Sequence, residues 1–165
     1  MELWDLYTEN RIKTGETHVR GNPLPKDRYH LGVSVWIKNS DGKYLISRRS
    51  KTRLKNPLMF ETVGGAVLKG EDSLQAALRE TKEEVGIDLD AKTGKLVYSC
   101  VRKQLASIWD AWLFKYDGIV NLKNATTDEV ESVDWMTIDE IYDLSKKGLL
   151  VNTLSYCFEK VFNKE

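Results

Sequence analysis

The chain has 165 residues, 41% of them hydrophobic and 30% charged, with 25 Lys plus Arg against 25 Asp plus Glu. That length suits one domain spanning residues 1–165, large enough to bury roughly 70% of its unfolded surface. Zero formal charge excludes bulk attraction to a nucleic acid polymer or an anionic membrane, and no apolar run of about 18 residues or signal peptide is present, so a cytoplasmic protein is expected.

In chain order, residues 1–20 read as two short strands, Leu3 to Tyr7 and Thr14 to Val19, around a polar turn and part of the same domain. Asn22 to Arg28, with Pro23 and Pro25, is a loop. Tyr29 to Ile37 and Tyr44 to Ser47 flank the turn Asn39-Ser40-Asp41-Gly42 and form a hairpin. Lys51 to Pro57 is a basic loop, and Met59 to Leu68 is an extended segment broken at Gly64-Gly65, where the backbone adopts special dihedrals and approaches a ligand. Strands at Lys95 to Lys103, Ser107 to Tyr116 and around Trp135 follow the central helix, then helices at Thr137 to Lys146 and Val151 to Phe162. Strands interleaved with helices predict an α/β domain, a mixed sheet between helices. Cys100 and Cys157 form no metal pattern and read as buried reduced thiols.

The central helix is the clearest element. Leu74, Ala77, Leu78, Thr81 and Val85 form one apolar stripe. Asp72 is the expected N-cap with Gln75 three residues on, and Gly86 the expected stop. On the opposite face Glu80, Glu83 and Glu84 stand at i, i+3 and i+4, so their carboxylates converge and repel by a few tenths of a kcal/mol per pair. Alone, this is as readily a solvated acidic face as a hard-cation site.

The sequence before the helix decides between them. From Gly65 the chain runs five residues to Glu71, seven more, and then Arg79-Glu80-Thr81-Lys82-Glu83-Glu84-Val85-Gly86-Ile87. This resembles the Nudix box, G-x5-E-x7-R-E-U-x-E-E-x-G-U, where U is aliphatic. All seven fixed residue types match, which chance gives at a frequency on the order of 10⁻⁸. Thr81 departs, standing where an aliphatic residue belongs on the apolar stripe; slightly weaker packing is expected there.

The resemblance implies a Nudix-type α/β/α sandwich and Mg²⁺-dependent hydrolysis of a diphosphate linkage, with Mn²⁺ as the alternative ion. It implies that Glu80 and Glu84 ligate metal together with the Gly64 carbonyl. Glu83 would ligate a second ion or order water there, and Glu71 and Arg79 would pin the loop to the helix, with Gly65 and Gly86 structural. A general base is needed outside the box. Glu129 is the first candidate, in the acidic stretch before Trp135; Asp110, interrupting an apolar strand, is second, and Glu131 third. Arg48 and Arg49 are candidates for phosphate contact, although adjacent strand residues face opposite sides.

Beyond the box, Trp4-Asp5-Leu6-Tyr7, Thr14-Gly15-Glu16, Arg20-Gly21, Tyr29-His30-Leu31 and Arg48-Arg49-Ser50 resemble the isopentenyl-diphosphate isomerase-like branch. The isomerase needs a Cys where Gly64 stands and a metal-binding His where Ala66 stands, so hydrolysis is expected over isomerisation. A non-catalytic nucleotide-sensing module is the other alternative, but every expected carboxylate is present. His30 reads as a partly buried residue at a strand start, and Trp109 and Trp112 as core packing. The substrate is expected to be a small organic diphosphate, with nucleotides, nucleotide sugars, coenzyme A and isoprenoids all compatible, and a homodimer is compatible with the family.

Overall fold

The computed structural model describes residues 1–163. A hairpin of β1 (Leu3–Tyr7) and β2 (Lys13–Val19) precedes a seven-stranded mixed sheet of β3 (His30–Lys38), β4 (Tyr44–Arg49), β5 (Phe60–Glu61), β6 (Val63–Ala66), β7 (Lys95–Arg102), β8 (Ser107–Lys115) and β9 (Val130–Met136). Helix α1 (Ser73–Val85) covers one face; α2 (Ile138–Lys146) and α3 (Cys157–Lys160) cover the other. This is the expected α/β sandwich. Among the described residues no helix is long and apolar enough to cross a membrane.

The sheet is splayed. β3 and β4 pair only at Lys38 and Tyr44; beyond that point β3 takes β6 as its antiparallel neighbour and β4 takes β5 and β9. Residues 60–66 therefore bridge the two halves. On its other edge β3 pairs in parallel with β8, from His30 opposite Ser107 to Lys38 opposite Lys115. The hairpin joins this body through backbone hydrogen bonds between Tyr7 and Tyr29, both 2.9 Å.

Helix α1 follows its local signals. The Asp72 carboxylate accepts from the Gln75 N–H at 2.8 Å while the Gln75 side chain accepts from the Asp72 N–H at 2.9 Å. Gly86 ends the helix at φ 71°, a left-handed conformation that glycine adopts without strain. Ala76, Ala77, Thr81 and Val85 are buried against the sheet.

Four expectations need correction. The segment 59–68 breaks at Thr62 rather than at the glycines, which lie within β6 opposite Val33 and Ser34; neither glycine has positive φ. Their missing side chains serve close packing, since a Cβ on Gly64 would overlap the Val33 carbonyl and one on Gly65 the Glu80 carboxylate. Residues 151–162 do not form one helix: they make a 3₁₀ turn at Asn152–Leu154 and the single turn α3. Asn, Thr and Ser at 152, 153 and 155 are weak helix formers, and Leu154, Cys157, Val161 and Phe162 instead fill the core beside Trp36 and Tyr44. Finally, both cysteines are free thiols, but only Cys157 is buried, its thiol pushed up to about 12 by that burial; Cys100 is partly exposed.

Thr81 is fully buried, and its hydroxyl donates to the Ala77 carbonyl one turn back at 2.8 Å. Its polar atom is satisfied within the helix while its methyl packs, so the departure from an aliphatic residue costs little. Thr81→Val is expected to leave stability within about 1 kcal/mol of wild type, read by urea denaturation.

Candidate active site

Arg79 organises the junction between β6 and α1. Its guanidinium donates to both oxygens of Glu71 at 2.7 and 3.0 Å and to the Ala66 carbonyl at 3.0 Å. It also donates to Glu80 at 2.9 Å and to Glu83 at 3.0 Å. Glu71 in turn accepts from the Leu68 N–H at 3.0 Å. The loop before the helix is thus closed by charge-assisted hydrogen bonds, and Glu80 and Glu83 are held beside one cation.

The three helix glutamates differ in environment. Glu83 faces outward, and its backbone carbonyl accepts from Thr126 and Thr127. Glu80 lies across Gly65, where the missing Cβ admits its carboxylate. Glu84 does not sit on the solvated face: it is 5% exposed, tucked beside Gly64, whose backbone hydrogen-bonds to it. Burial raises its carboxyl well above the usual range, and its strongest charged neighbours, Glu80, Glu61 and Glu129, raise it further. Glu80 is raised as well, by burial against the opposing pull of Arg79.

Glu61 is a member of this acidic group that no sequence motif marks. It is raised by burial despite Arg49, whose guanidinium meets it at 2.5 Å. A lone Glu in a two-residue strand has no local signature; its position follows from β5 pairing with β4. Glu129 joins the group from the loop before β9 and pairs with Arg53 at 2.5 Å.

Of the acidic group, Glu61 lines a cleft of about 590 Å³, with Gly64, Gly65, Arg49, Arg53 and Lys55 on the same side; Glu129 lines an adjoining pocket that shares Arg20, Arg49, Arg53 and Lys55. Trp4 and Arg20 from the hairpin region, His30, Ser34 and Trp109 line the other. The size suits a nucleotide-scale ligand. Arg49 faces the cleft, held by Glu61 and by its Nε–H donating to the Lys55 carbonyl at 3.1 Å. Arg48 points away, donating to the Leu58 carbonyl at 3.2 Å and lying over the Phe60 ring. Trp112 packs in the core beneath α1, whereas Trp109 lines the cleft, which corrects the expectation of core packing for it. His30 is partly buried at the start of β3, stacked on Trp4 at 4.5 Å.

The donor set fits a hard divalent cation. It is all oxygen, and Glu84 is a buried carboxylate among other carboxylates, an arrangement that a positive ion relieves. Among the described residues no three His, Cys, Asp or Glu side chains already converge at metal-binding distance; Arg79 and Arg53 hold Glu80, Glu83 and Glu129 in ion pairs.

Residues 28–153 match the NUDIX domain family. The chain is 36% identical over 149 residues, 90% of its length, to an uncharacterized Nudix hydrolase of Listeria innocua, covering 87% of that protein. It is 30% identical over 129 residues to an isopentenyl-diphosphate Delta-isomerase of Cutibacterium acnes, covering 71% of this chain and 64% of that one. The crystal structure of DR0079 from Deinococcus radiodurans superposes with a TM-score of 0.75 at 26% identity, covering 91% of this chain and 92% of the other.

Asp110 and Glu131 lie outside the cleft. Glu131 is exposed on β9. Asp110 is fully buried on the α1 face of β8, gripped by both Arg11 terminal nitrogens and accepting from Ser99 at 2.7 Å. Burial alone would raise its carboxyl, but hydrogen bonds from Arg11, Ser73 and Ser99 outweigh it and hold the carboxyl below the ordinary value. A carboxylate so lowered stabilises the fold above about pH 4 and loses that contribution as pH falls through its native value. Arg11→Met, which strands a buried charge, is expected to cost about 3 kcal/mol, the lower end for such pairs because Arg11 is partly exposed. Thermal melts from pH 3 to 7 should show a lower Tm for the variant and a shallower acid loss. Asp110→Asn should retain hydrolysis wherever it remains folded.

Proposed function

The chain belongs to the Nudix family of hydrolases, and on that footing we propose that it hydrolyses a diphosphate linkage in a nucleoside diphosphate derivative or related organic diphosphate with Mg²⁺, Mn²⁺ being the alternative ion. The observation that carries this reading is Glu84, a carboxylate buried among Glu80, Glu61 and Glu129 beside the glycine strand. Glu80, Glu83, Glu84 and the Gly64 carbonyl are the groups that would hold the ion. When bound, a divalent cation neutralises phosphate charge and acidifies water.

The remaining work falls to the chain's own residues. Arg49 and Arg53, oriented by Glu61 and Glu129, meet non-bridging phosphate oxygens in the cleft; the fork of donors on Arg suits that contact. Arg48 has no part in it. Glu129, outside the helix in the pocket that adjoins the cleft through Arg49 and Arg53, accepts the proton of the attacking water. The N-terminal hairpin acts with the rest of the chain as one domain, since Trp4 belongs to the cleft wall.

Isomerisation is disfavoured on chemistry as well as on sequence. No cysteine is among the residues lining the cleft, so a thiol to move a proton at carbon is missing there. A sensing module would not require the buried carboxylates that are retained here.

Chromatographic detection of nucleoside monophosphate formed with Mg²⁺ from a panel of nucleoside diphosphate derivatives tests the reading. Glu84→Gln is expected to lower turnover about a hundredfold or more, beyond the 10–100-fold cost of losing an outer metal partner. Glu129→Gln should lower kcat by about 10²–10⁴. Wild-type binding without turnover across the panel would leave only the sensing module.

A further inference from the structure

Trp109 is fixed on every side except the one that faces the cleft. Its indole N–H donates to the Ser34 hydroxyl at 2.6 Å. Its benzo ring lies over Gly32, its partner in the β3–β8 register, where a Cβ would overlap the ring. The guanidinium carbon of Arg102 stands 4.7 Å from the ring centroid, and Arg102 is itself tied to the Thr153 carbonyl at 3.1 Å. A ring needing only to fill space requires none of these anchors, and this one remains partly exposed at the cleft wall.

The anchor also sets its place relative to the chemistry. Ser34 lies directly opposite Gly64 across the β3–β6 pair, and Val33 opposite Gly65. The indole is therefore bonded to the residue one strand, about 4.8 Å, from the glycine beside Glu84. A diphosphate joined to Glu80 and Glu84 through a divalent cation and met by Arg49 would present its organic substituent along this wall. Trp109 and Asp110 project to opposite faces of β8, which leaves Trp109 at the cleft while Asp110 is sealed beneath α1.

We propose that Trp109 is the specificity-determining residue that reads the group attached to the diphosphate, and that Arg102 is a positioning residue that holds the indole in its reading orientation. This rests on the hydrolase reading for the location of the diphosphate. Rigid aromatic walls discriminate because a substituent of another shape loses contact that the fixed ring cannot follow.

The test compares ADP, UDP-glucose and isopentenyl diphosphate, which share a diphosphate and differ in the attached group. Kd is measured with Mg²⁺ by calorimetry, and kcat and KM by chromatographic detection of the organic monophosphate that hydrolysis of each compound yields. Wild type is expected to rank the three. Trp109→Leu should weaken the preferred compound about tenfold and flatten the ranking, with kcat changed less than KM; Trp109→Phe should keep part of the ranking. Arg102→Gln should shift KM in the same direction by a smaller factor, and Arg102→Lys, which retains a cation over the ring, should recover it. Unchanged Kd ratios in a Trp109→Leu protein of wild-type Tm would overturn the proposal, as would no binding of any of the three by wild type. Failure of the hydrolase reading is distinct: binding ranked by Trp109 with no organic monophosphate formed.

Discussion

The structure depends on a conflict between charge and burial at the β6–α1 junction. Carboxylates at Glu80 and Glu84 lie where water is largely excluded, with Glu61 and Glu129 acting on them from other elements. Arg79 offsets this for Glu71, Glu80 and Glu83 but not for Glu84. The two glycines are what permit so close an approach: one lets β6 lie against β3, the other lets Glu80 cross β6. Carboxylates raised by burial beside a cleft are a pattern expected of functional rather than structural sites.

That arrangement divides the cleft by chemistry. Its β4 side carries arginines locked to carboxylates, Arg49 to Glu61 and Arg53 to Glu129, so cationic groups and acidic groups orient one another. Its β3–β8 side carries aromatic walls, with Trp109 held by Ser34, Gly32 and Arg102. The splay of β3 from β4 beyond Lys38 and Tyr44 opens the space between them, and residues 60–66 cross it. In the proposed reading the diphosphate end and the organic end of a ligand meet different strands.

What could be read from the sequence was local. Helix α1, its capping box at Asp72 and Gln75 and its stop at Gly86 follow from spacings within one segment, and the Glu71–Arg79 pair from the family resemblance that this segment carries. What escaped depends on contacts made across the chain. The burial of Glu84 comes from β6 docking on β3. Asp110 is claimed by Arg11, 99 positions away, and Glu61 joins the acidic group only through strand pairing. The expected C-terminal helix failed because apolar residues at near-helical spacing served an irregular segment packed on Trp36, where tertiary burial outweighed helical regularity.

The claim that Glu84 is a buried ligand poised for a divalent cation is tested most directly by thermal melting of the wild type and Glu84→Gln across a Mg²⁺ titration. A cation that binds the folded chain at Glu84 stabilises it by about 2.7 kcal/mol at a hundred times its Kd. For a chain of this size that raises Tm by roughly 5–10 °C, and Glu84→Gln, relieved of its buried charge, should melt higher than wild type without Mg²⁺ and respond little to it. An equal Mg²⁺ response in both proteins, or none in the wild type, would contradict the account.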